Sequence, residues 1–326
     1  MRGGIAIVCT AAAVFAAAAL HGCGRKAKAK PPLIGVLMVG DFRQPVLDGL
    51  QDGLTHLGYP PGTIEYRIVN ASSNSSALPR LADELAAAKP GVLCPLGDEE
   101  ASACAASAAG RIPIVFMNVN SPIGRGLVKS YRKPPPNVTG VRTGYVELTG
   151  KRLQVLTFFF PKVKTVSVVY EPGDVASAEA FANALQAASS LGLQLKPFPL
   201  RNVDELRRRL RSFNPAEHEA IFGIPATLVY QHRAAYLPTL ARLVLGFGFD
   251  PESAALGTAV SYGSDPRAFG ASGAELVKAV LDGKRPGELP IRMVESVELC
   301  INRKSLQALG LSFPPEVEAL ATEVFE

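Results

Sequence analysis

Histidine and cysteine, the residues that most often build metal centres and nucleophilic active sites, are scarce in this chain of 326 residues. None of the four histidines stands in the HExxH or HxH spacing that would bring two imidazoles to one metal ion; they are His21, His56, His218 and His232. No serine occupies the centre of a GxSxG sequence, which marks the nucleophile of α/β-hydrolases. Local patterns therefore give no support to a zinc hydrolase or an α/β-hydrolase.

Long apolar runs are also missing, with one exception near the start. Residues 5–20 form an apolar run that is shorter than the roughly 20 residues a membrane-spanning helix needs. The run ends just before Cys23, and Leu20 and Gly22 occupy two of the positions that resemble the lipobox of bacterial lipoproteins. This resemblance predicts an export signal that ends at a lipidated cysteine, Cys23.

The start of the chain then divides into a lipoprotein signal peptide, residues 1–22, and a basic tether, residues 23–32. Two alternatives stay open, ordinary signal cleavage among residues 16–19 and an uncleaved N-terminal anchor. All three place the remaining chain outside the cytoplasm. The lipidated form would be anchored to a bacterial membrane, facing the periplasm or the cell surface.

The cysteines beyond the tether are Cys94, Cys104 and Cys300, an odd number without CxxC or metal-like spacing. Cys94 falls in a run typical of a strand and Cys104 in an alanine-rich run typical of a helix, which favours buried, unreactive thiols. A Cys94–Cys104 disulfide is the alternative, because disulfides form in exported proteins. No metal or other cofactor is predicted.

An excess of positive charge is absent from the body of the chain. Five of the 34 Lys and Arg residues and none of the 29 Asp and Glu residues precede residue 31, which leaves 29 of each beyond it. The basic residues of the tether can lie against anionic lipid head groups. The equal numbers of acidic and basic residues beyond residue 30 argue against a nucleic-acid partner.

Beyond the tether, short β-rich runs alternate with longer helical patterns. The first series begins with a strand over 33–38 and a helix over 45–57 and runs to a strand over 112–118; a second series begins near residue 147. Residues 122–136 break the rhythm with glycines, basic residues and three consecutive prolines. The pattern predicts an α/β protein with two doubly wound parallel sheets.

One acidic stretch, Asp98-Glu99-Glu100, opens the helix that follows the strand over 91–96. In a doubly wound sheet, ligands bind where strands end and helices begin, so Asp98 is a candidate ligand contact. The alternative is that Asp98 caps the helix while the two glutamates favour its positive end.

Several segments, taken in order, resemble the extracytoplasmic solute-binding proteins of ABC transporters, including the binders of tryptophan and other aromatic amino acids. The segments that carry the resemblance are Ile34-Gly35-Val36-Leu37, 47–59, 113–116, 121–128, 137–141, Gly246-Phe247, 261–265 and 299–305. Together they span nearly the whole chain beyond the tether.

The resemblance implies the type I periplasmic binding protein fold, in which three hinge crossovers join two α/β lobes. The crossovers are expected near Arg142, Ala254 and Gly283. Residues 33–141 and 255–283 would form lobe 1, and residues 142–254 and 284–326 would form lobe 2. A small organic solute, possibly an amino acid, would be trapped between the lobes by hinge closure.

Carried over position by position, the resemblance also implies the residues of the cleft. Lobe 1 would contribute Asp41, Phe42, Gly97, Asp98, Asn118, Asn120 and Ser121. Lobe 2 would contribute Tyr170, Glu171, Pro225, Ala226, Gly248 and Asp250. The expected partners are the solute, the ABC permease and ATPase subunits, and a membrane reached through the lipid anchor. The alternatives to this non-enzymatic function are an enzyme on the same scaffold and a ligand-sensing ectodomain subunit.

Overall fold

The computed structural model of the chain describes residues 31–326; the predicted signal peptide, Cys23 and most of the tether lie outside them. The strands are β1 Leu33–Met38, β2 Glu65–Asn70, β3 Val92–Pro95, β4 Ile114–Val119, β5 Val138–Arg142, β6 Thr165–Tyr170, β7 Gln194–Pro199, β8 Ala220–Gly223, β9 Leu245–Gly248, β10 Val260–Gly263, β11 Arg292–Met293, β12 Glu298–Asn302 and β13 Glu323–Phe325. The α-helices are α1 Gln44–His56, α2 Leu78–Ala87, α3 Asp98–Ala108, α4 Tyr145–Phe159, α5 Val175–Leu191, α6 Val203–Arg211, α7 Thr227–Leu240, α8 Pro251–Ala255, α9 Pro266–Leu281, α10 Arg303–Ala308 and α11 Pro315–Glu318.

Lobe 1 is built on a parallel sheet with the strand order β11-β5-β4-β3-β1-β2. Its central strands are apolar on both faces because helices cover both. On β1, Ile34 and Val36 face the core shared with α1 and α9, while Leu37 faces the core shared with α2 and α3. This two-sided burial explains the continuous apolar run of the strand.

Lobe 2 is built on a second sheet with the order β13-β12-β10-β9-β8-β6-β7. Only the pairing of β10 with β12 is antiparallel among the described strands of this sheet. Phe222 of β8 and Phe247 of β9 face the core that includes α4 and α5, and Val169 and Val229 share the core on the opposite face with α6 and α7. Two doubly wound α/β lobes confirm the predicted fold class.

The chain crosses between the sheets three times. The first crossover follows β5 at Arg142. The second and third differ from the sequence-based expectation, because β10 lies in the lobe 2 sheet and β11 lies in the lobe 1 sheet. The crossovers therefore fall at residues 263–266 and 293–298, about ten residues later than Ala254 and Gly283. Strand pairing sets them, and a helical or apolar pattern does not show which sheet a strand joins.

The thiols of Cys94, Cys104 and Cys300 are buried and unpaired. Burial raises the pKa of Cys300 to about 11, and it raises the pKa of Cys94 and of Cys104 still further. The three cysteines are therefore buried, unreactive thiols, as the first alternative predicted, and Cys94 and Cys104 do not form a disulfide. Among helices of the described residues, none combines the length and apolar character that crossing a membrane requires.

Candidate functional site

A cleft lies where the carboxyl ends of the strands of both lobes face each other, and its free volume is about 20 Å³. Loops after β1, β4, β8 and β9 reach it, together with two of the crossovers. The residues that line it are Arg43, Asn118, Asn120, Tyr145, Pro225, Ala226, Thr227, Tyr230, Phe249 and Pro266. Such a switch point between strand ends is where open α/β sheets bind ligands.

Asn118 is the polar residue of the cleft with the most unusual backbone. Its φ angle of 57° puts an L-residue in the left-handed region, where asparagine is tolerated better than most other residues. The residue is 7% exposed and lines the cleft. A polar residue held in this backbone conformation beside a cleft is suited to ligand binding.

Arg43 brings a positive charge to the same cleft from the loop after β1. Its Nε lies 3.2 Å from Oε1 of Glu100, a carboxylate that is fully buried and also accepts a hydrogen bond from the backbone of Val39. Gly97 permits this arrangement, because a Cβ there would overlap both the guanidinium and the Glu100 carboxylate. Glu100 therefore fixes one edge of Arg43, and the terminal nitrogens remain available to an anionic group in the cleft.

Aromatic rings form the apolar walls. Phe42 of lobe 1 meets Tyr230 of lobe 2 edge to face, with ring centroids 5.4 Å apart. Tyr230 also contacts Phe249 at 5.5 Å, and Phe249 contacts Tyr145 at 5.4 Å. A continuous row of rings thus runs from one lobe through the cleft to the crossover, an arrangement that favours an apolar or aromatic ligand group.

Asp98 acts through Asn120 and does not line the cleft. Its carboxylate accepts hydrogen bonds from the backbone N–H and the side-chain amide of Asn120, at 3.1 and 2.6 Å, and from the backbone of Ser121. It also pairs with Arg125 at 3.3 Å. The carboxylate makes no capping hydrogen bond to its own helix, α3. Asp98 therefore holds the loop after β4 in place.

Several contacts join the two lobes in this structure. Arg125 of lobe 1 pairs with Asp174 of lobe 2, and the Gln231 side chain donates a hydrogen bond of 2.9 Å to the backbone carbonyl of Ser73. Two pairs of rings also meet across the lobes, Phe42 with Tyr230 and Phe269 with Tyr145. These contacts describe a closed arrangement of the two lobes.

The closed rim concentrates carboxylates around a single arginine. Burial raises the pKa of Glu171 to about 7, opposed by the hydrogen bond from the backbone of Leu228 and helped by the negative charge of Asp174. Burial also raises the pKa of Asp174 to about 6, helped by the charge of Asp98 and opposed by Arg125. The Arg125 guanidinium, which Asp174 shares with Asp98, does not offset the desolvation of Asp174.

These raised values predict that acidification stabilises the protein. A carboxyl whose pKa is raised in the folded state binds its proton more tightly than in the unfolded chain, so its contribution is full below about pH 4 and is lost as pH rises through 6 and 7. Glu171→Gln, which keeps an oxygen for the backbone N–H of Leu228, should melt several degrees above wild type at pH 8 and level with it at pH 4.5. Thermal unfolding across this pH range measures the difference; equal melting at pH 8 would contradict the prediction.

Arg152 holds the strand ends from which two of the cleft loops start, although no sequence motif marks this residue. This fully buried arginine of α4 donates hydrogen bonds to the carbonyls of Gly223 and Gly248 at 2.7 and 2.8 Å, and its guanidinium stacks over Phe222. Burial lowers the pKa of Arg152 to about 9. The residue ties together the ends of β8 and β9, from which two cleft loops start.

The structure brings four of the thirteen predicted residues into the cleft lining: Asn118, Asn120, Pro225 and Ala226. Gly97, Asp98 and Ser121 stand behind them, and Phe42 contacts the lining residue Tyr230. The others have different roles: Asp41 accepts a hydrogen bond from Asn70, Tyr170 stacks on Phe181, Glu171 accepts from Leu228, Gly248 accepts from Arg152, and Asp250 pairs with Arg233.

Sequence reasoning missed six lining residues, Arg43, Tyr145, Thr227, Tyr230, Phe249 and Pro266. Arg43, Thr227 and Phe249 are immediate neighbours of predicted positions, so wider loop windows would have included them. Tyr145 and Pro266 lie at crossovers, and Tyr230 lies one turn into α7, where no motif marks them. Within residues 31–326, no group of His, Cys, Asp and Glu side chains is arranged to hold a metal ion.

Comparison with known proteins identifies a matching family model and a curated relative. The family model for "ABC transporter substrate binding protein" matches residues 34–325. A tyrosine-binding protein of Clostridioides difficile is 26% identical over 287 residues, which cover 82% of this chain and 78% of that protein.

Two solved structures share the fold at a TM-score of 0.83. One is a conserved domain protein from Vibrio cholerae, 24% identical, covering 90% of this chain and 100% of the other. The second is an ABC domain in complex with L-Trp from Streptococcus pneumoniae, 21% identical, covering 91% and 100%.

Proposed function

Because the chain belongs to the ABC transporter substrate binding protein family, we propose that it captures an aromatic amino acid outside the cytoplasm and presents it to the permease and ATPase of an importer. The observation that carries the proposal is the cleft itself, in which Arg43 and Asn118 stand beside the rings of Tyr145, Tyr230 and Phe249. Family membership favours binding over the enzyme alternative.

Each part of an amino acid has a matching group in the cleft. The carboxylate would pair with the terminal nitrogens of Arg43 and would lie near the start of α7, where the helix dipole is positive. The side-chain oxygen of Asn118 would accept from the ammonium. The aromatic ring would pack among Tyr145, Tyr230 and Phe249.

Closure of the lobes would link binding to transport. A ligand that contacts both lobes favours the closed arrangement described by the Arg125–Asp174 and Gln231–Ser73 contacts. The permease can then distinguish closed from open protein by its surface. A lipid anchor at Cys23, predicted from the sequence, would hold the protein beside the permease.

The test is calorimetric titration of the purified protein with L-tyrosine, L-tryptophan and L-phenylalanine. Tyramine, which lacks the carboxylate, and 3-(4-hydroxyphenyl)propionate, which lacks the ammonium, are matched control ligands. Binding of an aromatic amino acid with loss of affinity for both controls supports the proposal. Equal binding of tyramine and tyrosine, or binding only of sugars from a wider screen, would contradict it.

The relative that binds tyrosine and the structure in complex with L-Trp are consistent with this ligand class. Mass spectrometry of the mature protein tests the anchor separately: a diacylglyceryl mass on a chain beginning at Cys23 supports it, and an unmodified chain beginning near residues 17–20 would contradict it.

A further inference from the structure

An apolar cavity lies inside lobe 2, between α7 and its sheet, with a free volume of about 50 Å³. Val229, Tyr236 and Leu240 of α7 form its roof. The walls of the cavity are almost entirely apolar. Its free volume is larger than that of the cleft, which is about 20 Å³. Dense packing is the rule in protein interiors, so a cavity of this kind beside a binding cleft needs a physical cause.

The cause lies at Gly223 of β8, which lines the cavity without a side chain. Gly246 and Gly248 of β9 also line the cavity, but the side chains of Thr258 and Ser253 pack against these two glycines and would crowd a Cβ there. A Cβ on Gly223 would lie 3.5 Å from both the Phe247 carbonyl and the nearest ring carbon of Phe249, an ordinary contact distance. A methyl group would therefore fit at Gly223 without displacing any atom, and the space there is left unfilled.

The cavity and the cleft share a wall. Tyr230 and Phe249 line both, so the rings that bound the proposed ligand site have free space behind them. Tyr230 is held, because the guanidinium of Arg233 lies 3.5 Å from its ring centroid and Phe42 packs on its other side.

The ring of Phe249 has no polar atom, so no hydrogen bond fixes its position. Its backbone is pinned, since a Cβ on Gly263 would overlap the Phe249 carbonyl. The ring contacts Tyr145 edge to face and Tyr230 at a tilt of 33°, and its centroid lies 5.5 Å from the Arg152 guanidinium. Rotation about the side-chain bonds could carry it from these contacts into other apolar contacts without exposing a polar group.

We propose that the cavity is expansion space for the cleft: the ring of Phe249 turns into it when an aromatic amino acid binds, so that Phe249 and Gly223 set the largest side chain the protein accepts. This inference rests on the proposed function. In this closed arrangement the cleft has room for little more than one water molecule, so a ligand ring held between closed lobes needs additional space. The displaced ring fills space that is otherwise unpacked, which offsets the contacts it leaves.

Gly223→Ala tests the proposal because the added methyl group stands beside the Phe249 ring inside the cavity. Titration calorimetry of wild type and variant with L-tyrosine and L-valine should show about a tenfold loss of affinity for tyrosine in the variant, since overpacking opposes the turn of the ring. Affinity for valine should not change. Gly91→Ala, at a strand start in lobe 1 with a comparable Cβ clearance of 3.6 Å, is the matched control and should behave as wild type.

The outcomes separate this inference from the proposed function. If wild type and Gly223→Ala bind L-tyrosine equally well, or if a crystal structure of the tyrosine complex shows the Phe249 ring outside the cavity, the expansion space is refuted while the proposed function stands. If the wild type binds no amino acid, the proposed function fails and this inference fails with it. Melting temperatures of both variants at or above wild type would show that the methyl group itself is accommodated.

Discussion

Replacing Arg43 by glutamine is expected to weaken the binding of an aromatic amino acid by roughly 10- to 100-fold, because hydrogen bonds to charged groups contribute about 1.5–3 kcal/mol. Arg43 is the cationic side chain in the cleft lining, and Glu100 occupies only its Nε. Glutamine keeps the polar character of the position but has no charge for the ligand carboxylate. Titration calorimetry with L-tyrosine and L-tryptophan measures the change.

Glu100→Gln is the control for an indirect effect. It removes the buried charge behind Arg43 but leaves the cation in place, and a glutamine oxygen can still accept from Val39 and Arg43. We expect this variant to lose much less affinity than Arg43→Gln. Equal losses in the two variants would mean that the pair supports only the fold of the loop, and unchanged binding in Arg43→Gln would place the ligand carboxylate elsewhere.

Arg233→Met is expected to cost about 3–5 kcal/mol of stability and to lower the melting temperature by roughly 6–20 °C. Arg233 Nη1 lies 2.6 Å from Oδ2 of Asp250, whose side chain is 0% exposed. Methionine fills a similar volume but leaves that carboxylate buried without a counter-charge. The second partner, Glu252, is 45% exposed and can be solvated instead.

A double variant separates the charge effect from packing. Adding Asp250→Asn to Arg233→Met removes the stranded charge, while the asparagine oxygen can still accept from the backbone of Ser253 at the start of α8. Thermal unfolding should show most of the lost stability restored. A double variant as unstable as Arg233→Met alone would show that the arginine contributes through its contact with the Tyr230 ring.

The alternation of apolar strands with amphipathic helices determined the fold class. The strand over Leu33–Met38 has in the structure the bounds that its composition predicts, because a strand buried on both faces is an uninterrupted apolar run. Helix α5 begins at Val175 with Asp174 as its cap and ends before Gly192, signals that can be read locally. The order of such elements is enough to indicate two doubly wound sheets.

Tertiary structure decided which sheet each late strand joins and which side chains meet in the cleft. The strands β11 and β12 are only four residues apart in the sequence but lie in different sheets, β11 in lobe 1 and β12 in lobe 2, because residues 294–297 carry the chain across. Tyr230 reaches the cleft only because α7 packs with its first turn beside Phe42 of the other lobe. Periodicity records which face of an element is buried, whereas the partner of that face depends on contacts between residues far apart in the sequence.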